Sequence, residues 1–289
     1  MEISNEGLEL ELQADILRES AVSWRMKFNM ARNWNRFEKS YSGKDVVDGD
    51  GTLLVVGRPL NGLYVWAHRG YYNSDAEVPR LYKIDGQEIY FNGVATNGIS
   101  GAVGDYRLLD LDGDGNPDSY YAGSPLPLAH GGWVNELMWK NFDLNVLVNF
   151  TIGRKMINNR MGLGFSRQSE DGHLTKLFDY RKLRPWDGVN KKPNAPAWGN
   201  SLSMNTDSAI EKVHHLALKQ ITLGYNLPDR ISKKAGLSGV RFFLTAENLF
   251  YLSNYSGGNP EVVNIYTGRD NGDTYPLPRK YTLGLTLNF

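Results

Sequence analysis

From Lys280 to the final Phe289 the chain alternates without a slip. Tyr281, Leu283, Leu285, Leu287 and Phe289 fall on one face; Lys280, Thr282, Gly284, Thr286 and Asn288 fall on the other. Period two is the mark of an extended strand, in which successive side chains point to opposite sides of the sheet. A strand with one wholly apolar face must hide that face in a second sheet or in lipid. Its length and terminal aromatic suit the closing strand of a transmembrane β-barrel, where lipid-facing and lumen-facing positions alternate.

Composition is compatible with that reading. The 32 Lys+Arg balance 32 Asp+Glu, so the chain lacks a basic footprint and no nucleic-acid partner is expected. Its 31 Gly, 16 Tyr and 7 Trp suit an all-β protein rich in turns. With 0 Cys there is neither a disulfide framework nor a thiolate metal site. No apolar run approaches the length of a membrane-spanning helix. A barrel needs only every second strand residue to face lipid, so a low mean hydropathy does not exclude it.

Two hairpins are written in the parity of the apolar residues. Leu8, Leu10, Leu12, Ala14 and Ile16 are followed by Val22, Trp24, Met26, Phe28 and Met30, all on even numbers. Their faces stay together only across a loop of odd length, because a slip of one residue turns every side chain over. A three-residue loop at 18–20 meets this condition and sets Glu11 opposite Lys27 and Gln13 opposite Arg25. In the second hairpin Trp133, Leu137 and Trp139 are odd while Phe142, Leu144, Val146, Val148, Phe150 and Ile152 are even. The loop must then be even, and Lys140-Asn141 fits. A third pair of strands runs from about Val213 to Tyr225 and returns from Val240 to Ala246. Leu216 and Leu218 are out of phase with Ile221, Leu223 and Tyr225, which predicts a bulge near Lys219.

Short connections (18–20, 140–141, 228–238) alternate with long ones (37–131, 154–208, 254–278). This is the asymmetry of outer-membrane barrels, with short periplasmic turns and longer external loops. Trp139, Phe142, Tyr225 and Phe289 fall toward the short-turn rim, and Trp34, Phe150, Tyr251 and Tyr281 toward the other, as two interfacial girdles would. The fold class expected is all-β, an antiparallel transmembrane β-barrel formed only in part, with long extracellular loops. The competing reading is a soluble secreted β-domain that binds carbohydrate and calcium.

Several motifs carry a resemblance. Lys219-Gln220-Ile221-Thr222-Leu223-Gly224-Tyr225-Asn226-Leu227-Pro228 resembles the "LKNITLGYTLP" strand and turn of SusC/RagA-type TonB-dependent outer-membrane proteins. Residues 240–250 (VRFFLTAENLF) resemble that family's penultimate strand, residues 255–262 (YSGGNPEV) its "Y-x-G-x-D/N-P-E" loop, and residues 275–279 (YPLPR) the lead into its final strand. Upstream, residues 104–107 with 110–118 resemble its "GDIKYKDLNGDGVID" segment, and residues 123–127 its "G-N/S-P-x-P" element. The resemblance runs along essentially the whole chain.

It implies a C-terminal third of a plugged barrel of about 22 strands. Residues 1–36 would be a strand hairpin, 37–130 a large extracellular loop, and 131–289 the remaining barrel strands and loops. It further implies an outer-membrane importer of glycan or peptide cargo that works with a SusD-like surface lipoprotein. The TonB complex would act through a plug region outside this chain, and the remainder of the barrel and outer-membrane lipid would be the other neighbours. An isolated piece of this kind is expected to need the other strands, because unpaired backbone in lipid costs several kcal/mol per group.

The sharpest chemical motif is residues 110–118 (DLDGDGNPD). Asp110, Asp112, Asp114, Asn116 and Asp118 with Gly115 follow the spacing of an EF-hand calcium loop, in which hard oxygens converge on Ca2+. The twelfth position is Tyr121 in place of a bidentate Glu. An acidic, glycine-rich turn is the plain alternative. Loop aromatics Trp66, Tyr71, Tyr72, Trp186, Trp198 and Tyr255 stand among Asn, Asp and Arg, chemistry suited to stacking on sugar faces, although loop packing explains them equally well. His68, His130 and His173 stand alone in loops, and His214 and His215 point to opposite faces of a strand. With no catalytic motif in the chain, no enzyme activity is expected.

Overall fold

A computed structural model describes residues 1–18, 21–47, 53–78, 80–82, 88–90, 103–113, 118–159, 184–189, 192–197, 206–272 and 274–289. Seven long strands dominate it: β1 (Glu2–Leu17), β2 (Val22–Lys39), β3 (Ala129–Trp139), β4 (Phe142–Asn158), β5 (Ile210–Asn226), β6 (Gly239–Ser253) and β7 (Lys280–Asn288). They pair antiparallel in chain order as one open sheet. The two-residue strand Arg269–Asp270 adds in parallel to the upper end of β4. Among the loops, Leu63–Trp66 pairs with Ser119–Gly123 and His68–Tyr71 with Tyr106–Leu108.

Alternation along each strand becomes rows across the sheet. Leu12, Phe28, Trp133, Val148, Leu218 and Phe250 lie side by side in register on six strands. On the other face Asp15, Arg25, Glu136, Asn145, Thr222, Thr245 and Thr282 form a row that crosses all seven. The apolar face is bare: Leu12 is 54% exposed and Leu283 81%, with Leu8, Leu10, Leu244, Leu252 and Leu285 exposed beside them. Among the described residues no second sheet covers it. At the short-turn rim Trp139 stacks on Phe142 at 6.2 Å, and Phe142 meets Tyr225 at 4.7 Å, a contiguous aromatic edge.

The second hairpin turns through Lys140-Asn141 as its parity requires, with Trp139 facing Phe142. Lys140 takes φ 52°, the positive value that tight hairpin turns demand. The first hairpin departs from expectation. Gln13 faces Lys27 and Asp15 faces Arg25, two residues away from the expected register. The strands stop at Leu17 and resume at Val22, with a bulge between Asp15 and Leu17. One carboxylate accounts for the shift, since Asp15 accepts from Arg25 Nε at 2.7 Å and from the Arg18 guanidinium. The shift is even, so the apolar faces still coincide. The connection between β5 and β6, read as a turn, contains a short helix, α1 (Asp229–Lys234).

Register shifts concentrate at one level. Against β4, β5 skips Lys219; against β5, β6 places Asn248 and Leu249 opposite that single residue. The expected bulge is therefore present, and Asn248, at φ 52°, compounds it. A second bulge sets Ile152 and Gly153 against His214. Gly153 has φ 73°, and a Cβ there would meet Leu128 at 2.6 Å.

Strands of 16 to 18 residues, such as β1, β2, β4 and β5, exceed the 9–11 or so that cross a bilayer at a barrel tilt. The surplus lies at the long-loop end, where the packed core sits. One cluster joins Leu63, Val65, Ala122 and Ile157; another joins Met156, Val213, Tyr255 and Val263. The sheet is thus exposed along much of its middle, and its packed clusters lie where the strands enter the loops.

Candidate functional site

The polar face is knitted by bonds between strands. Lys27 Nζ meets Glu136 Oε1 at 2.9 Å, Lys280 meets Glu247 at 3.7 Å, and Gln220 donates to Thr222, whose hydroxyl shares a bond with Thr245 at 2.9 Å. Arg241 on β6 reaches over β5 to Asp143 on β4, with Nη2 2.6 Å from Oδ2. Gly224 makes the crossing possible: a Cβ at that position would lie 2.4 Å from the carboxylate and 2.5 Å from the guanidinium. The ion-paired side chains on this face remain partly exposed.

Above the wall the loops form a cap. Arg154, 4% exposed, donates from Nε to Pro125 O at 3.2 Å, from Nη1 to Pro260 O at 3.1 Å, and from Nη2 to Val263 O at 2.8 Å and Asn264 O at 2.6 Å. Loss of water pushes its pKa down to about 10, with the neighbouring Tyr255 opposing. One side chain thereby ties two loops that are more than a hundred residues apart in sequence. Glu261 extends the tie to the wall, accepting from Lys219 at 3.3 Å and standing 3.8 Å from His215. The neighbouring His215 ring and the charge of Lys219 hold its carboxyl below the usual range against the opposing effect of burial.

The aromatics expected to meet cargo divide into two sets. Tyr72 and Tyr255 are 5% and 8% exposed and are committed to packing; the Tyr255 hydroxyl donates to Asp270 at 2.7 Å. Their rings are not open stacking platforms in this arrangement. Trp66 is half-buried and bridges to Thr206, Tyr71 stacks on Tyr106 at 5.3 Å with its pKa raised by burial, and Trp186 donates to Asn73 at 3.3 Å. Trp198 lies outside the described residues.

In the acidic loop, carboxylate oxygens of Asp110, Asp112 and Asp118 lie within 4.8 Å of one another, while Asp114 and Asn116 lie outside the described residues. The loop also holds itself: Leu111 N–H and Asp112 N–H donate to Asp118 at 2.6 and 3.2 Å, and Gly113 N–H donates to Asp110 at 2.6 Å. Tyr121, at the twelfth position, packs under Arg58 at 4.8 Å and offers no carboxylate. Three clustered oxygens suit a hard cation in part.

One constellation has no local signature in the sequence. His68 binds Asp207 through Nδ1, Tyr120 donates to the same carboxylate at 3.2 Å, and Tyr106 lies edge-on to the imidazole at 4.4 Å. The partners are 139 residues apart in sequence, so no local spacing announces them.

A sheet with one bare apolar face, an ion-paired opposite face and a packed cap over one rim defines a segment of an outer-membrane barrel wall. Relatives and solved structures agree with that class. The chain is 25% identical over 312 residues to TonB-dependent receptor P3 of Formosa agariphila, with all of this chain and 29% of the receptor aligned. It is 26% identical over 300 residues to TonB-dependent receptor SusC of Bacteroides thetaiotaomicron, covering 99% of the chain and 26% of the receptor. It superimposes on a chain of the RagAB peptide transporter with a TM-score of 0.71 at 22% identity, covering 99% of this chain and 29% of that one. No family profile matches. The chain carries partial homology to SusC/RagA-family TonB-dependent receptors, an outer-membrane family of transporters and not of enzymes. It spans less than a third of the length of these relatives.

Proposed function

We propose that the chain supplies wall strands and external loops to a TonB-dependent importer that takes up oligosaccharides or peptides with a SusD-like surface lipoprotein. The observation that carries this is the pair of in-register rows, apolar across six strands on one face and polar across seven on the other. A soluble domain would have to cover the apolar row, whereas a membrane covers it without further protein. The open edges of β1 and β7 would pair with the remainder of the barrel, and energy would arrive through the TonB complex acting on a plug elsewhere in the protein. Likeness in fold to the RagAB peptide transporter favours peptides; half-buried Trp66, Tyr71 and Trp186 at the cap favour sugars.

The test is a deletion of the gene for the full receptor, complemented in cells with and without TonB and grown on oligosaccharide or peptide as the sole source. Growth restored only by the receptor and only with TonB supports the proposal and selects the cargo. A full-length protein that fractionates as a soluble monomer without detergent defeats it.

The 110–118 loop, in the same reading, holds Ca2+ through Asp110, Asp112 and Asp118 with Asp114 and Asn116 adding oxygens, and stiffens an external loop. Calorimetric titration of the full receptor should show heat with calcium that Asp112→Asn abolishes; a flat titration removes the site.

A further inference from the structure

At the level where the apolar face gives way to the cap, an open groove of about 560 Å³ runs between β4, β5 and β6. Phe150, Ile152, Leu216 and Leu252 line it, with His214 and Asn254 at its upper end. It exists because the Ile152–Gly153 bulge widens the gap opposite His214 and because β6 ends at Ser253. Beyond that point side chains replace the ladder. His214 N–H donates to Asn254 Oδ1 at 2.7 Å, Asn254 Nδ2 donates to Lys212 O at 2.8 Å, and Ser253 Oγ donates to His214 O at 2.9 Å.

This leaves the polar backbone satisfied and the side chains of Lys212 and His214 turned outward. Alternation sets the direction. Val213, between them, is 1% exposed in the cap core, and the His215 side chain meets Glu261 on the inner side, so Lys212 and His214 share the outer face with Leu216. Both are exposed, and among the described residues neither side chain has an acidic partner. The nearest carboxylate in sequence, Glu211, is engaged by Ser256 and Asn158. One cation, Lys212, and one ring donor, His214, therefore stand above an apolar slot that continues the lipid-exposed face. The same level holds another cation on β2: Ala31 pairs with His130 and Ala129 with Ile152, so Arg32, next to Ala31, belongs to this row, its guanidinium 5.4 Å from the Trp34 ring.

We propose that this groove seats one acyl chain of a phosphorylated outer-leaflet lipid, with Lys212 and His214 on its phosphate. The assignment rests on the membrane reading given above. Apolar continuity with the exposed face selects an acyl chain, and the Lys212 charge with the His214 ring donor at its upper end selects a phosphate headgroup over an uncharged one.

Native mass spectrometry of the full receptor in detergent, titrated with phosphatidylglycerol and separately with diacylglycerol, tests it. The first phosphatidylglycerol adduct should weaken about tenfold in K212Q/H214Q, the effect of removing one interfacial cation and one hydrogen-bond donor, while diacylglycerol binding stays unchanged. Leu252→Asn should weaken both lipids. Should the double variant fail to assemble, K212Q alone is read, with a weakening of roughly fivefold expected. Unchanged phosphatidylglycerol affinity in a correctly assembled variant overturns the site and leaves the membrane reading intact. Displacement of the lipid by millimolar inorganic phosphate also overturns it, because a headgroup-only site would not depend on the groove. A receptor that needs no detergent defeats the membrane reading itself.

Discussion

Replacing Arg154 with Met removes the guanidinium and keeps most of the stem, so the effect isolates the hydrogen bonds. Four carbonyl oxygens, those of Pro125, Pro260, Val263 and Asn264, lose a charged donor in a place that is 4% exposed. Each bond from a charged group contributes on the order of 1.5–3 kcal/mol, and each stranded acceptor costs about 1–3 kcal/mol. Water returning to part of the cavity offsets some of this, and the net for breaking such a buried network is about 3–5 kcal/mol. Arg154→Lys retains the charge but reaches fewer carbonyls, so roughly half the loss is expected. Amide hydrogen exchange on the full receptor reads the result locally. Gly268 N–H, bonded to Asn264 O at 2.9 Å, and Ile157 N–H, bonded to Gly268 O at 2.8 Å, report on the cap. Their protection should fall by about 10²–10³ in the Met variant, while wall amides such as that of Thr222 keep theirs. Unchanged exchange at Gly268, or an equal loss at Thr222, would refute the claim that Arg154 fastens the cap as a unit separate from the wall.

Three further outcomes are expected. Leu12→Arg puts a charge in the apolar row at mid-depth and should destabilise the assembled barrel by about 2–4 kcal/mol, seen as a lower temperature for the heat-modified shift in gel mobility; no shift would mean that this face does not meet lipid. Gly224→Val should eject Arg241 from Asp143 by filling the crossing point, and electrophysiology of the reconstituted receptor should register the freed charges as altered ion selectivity; Gly224→Ala, which adds the same Cβ, should alter it in the same direction, and unchanged selectivity in both would refute the crossing. Glu261 has a lowered pKa in the folded protein, so its contribution is complete above the ordinary carboxylate range and disappears as pH falls through the lower, folded value. Protease cleavage within residues 254–263 should therefore accelerate on acidification below about pH 4, and Glu261→Gln should cleave fast at every pH.

The strand faces, the Lys140-Asn141 turn and the Lys219 bulge were legible in the sequence because each depends only on parity, which is local and leaves no freedom once an apolar side must stay together. The register of the first hairpin was not legible. Any even shift keeps Leu10 and Phe28 on one face, and the choice among such shifts fell to Asp15, whose carboxylate gathers Arg25 and Arg18. Cap chemistry was hidden for a different reason. Arg154, Asp207 and Glu261 act on residues far along the chain, and nothing near them in sequence distinguishes a buried donor from a solvated one. Tyr71 and Tyr72 illustrate the limit, being neighbours of identical type that end half-buried and 5% exposed.

The surplus length of the strands has a consequence for encounter. About six residues of β4 and β5 rise past the bilayer boundary, and at barrel tilt they carry the cap roughly 15 Å outward. In the importer proposed above, a diffusing solute would meet this turret of strands and loops before the membrane surface. The height is set by continuous backbone, so shortening the turret by deleting matched pairs of residues would lower the mouth without altering the throat.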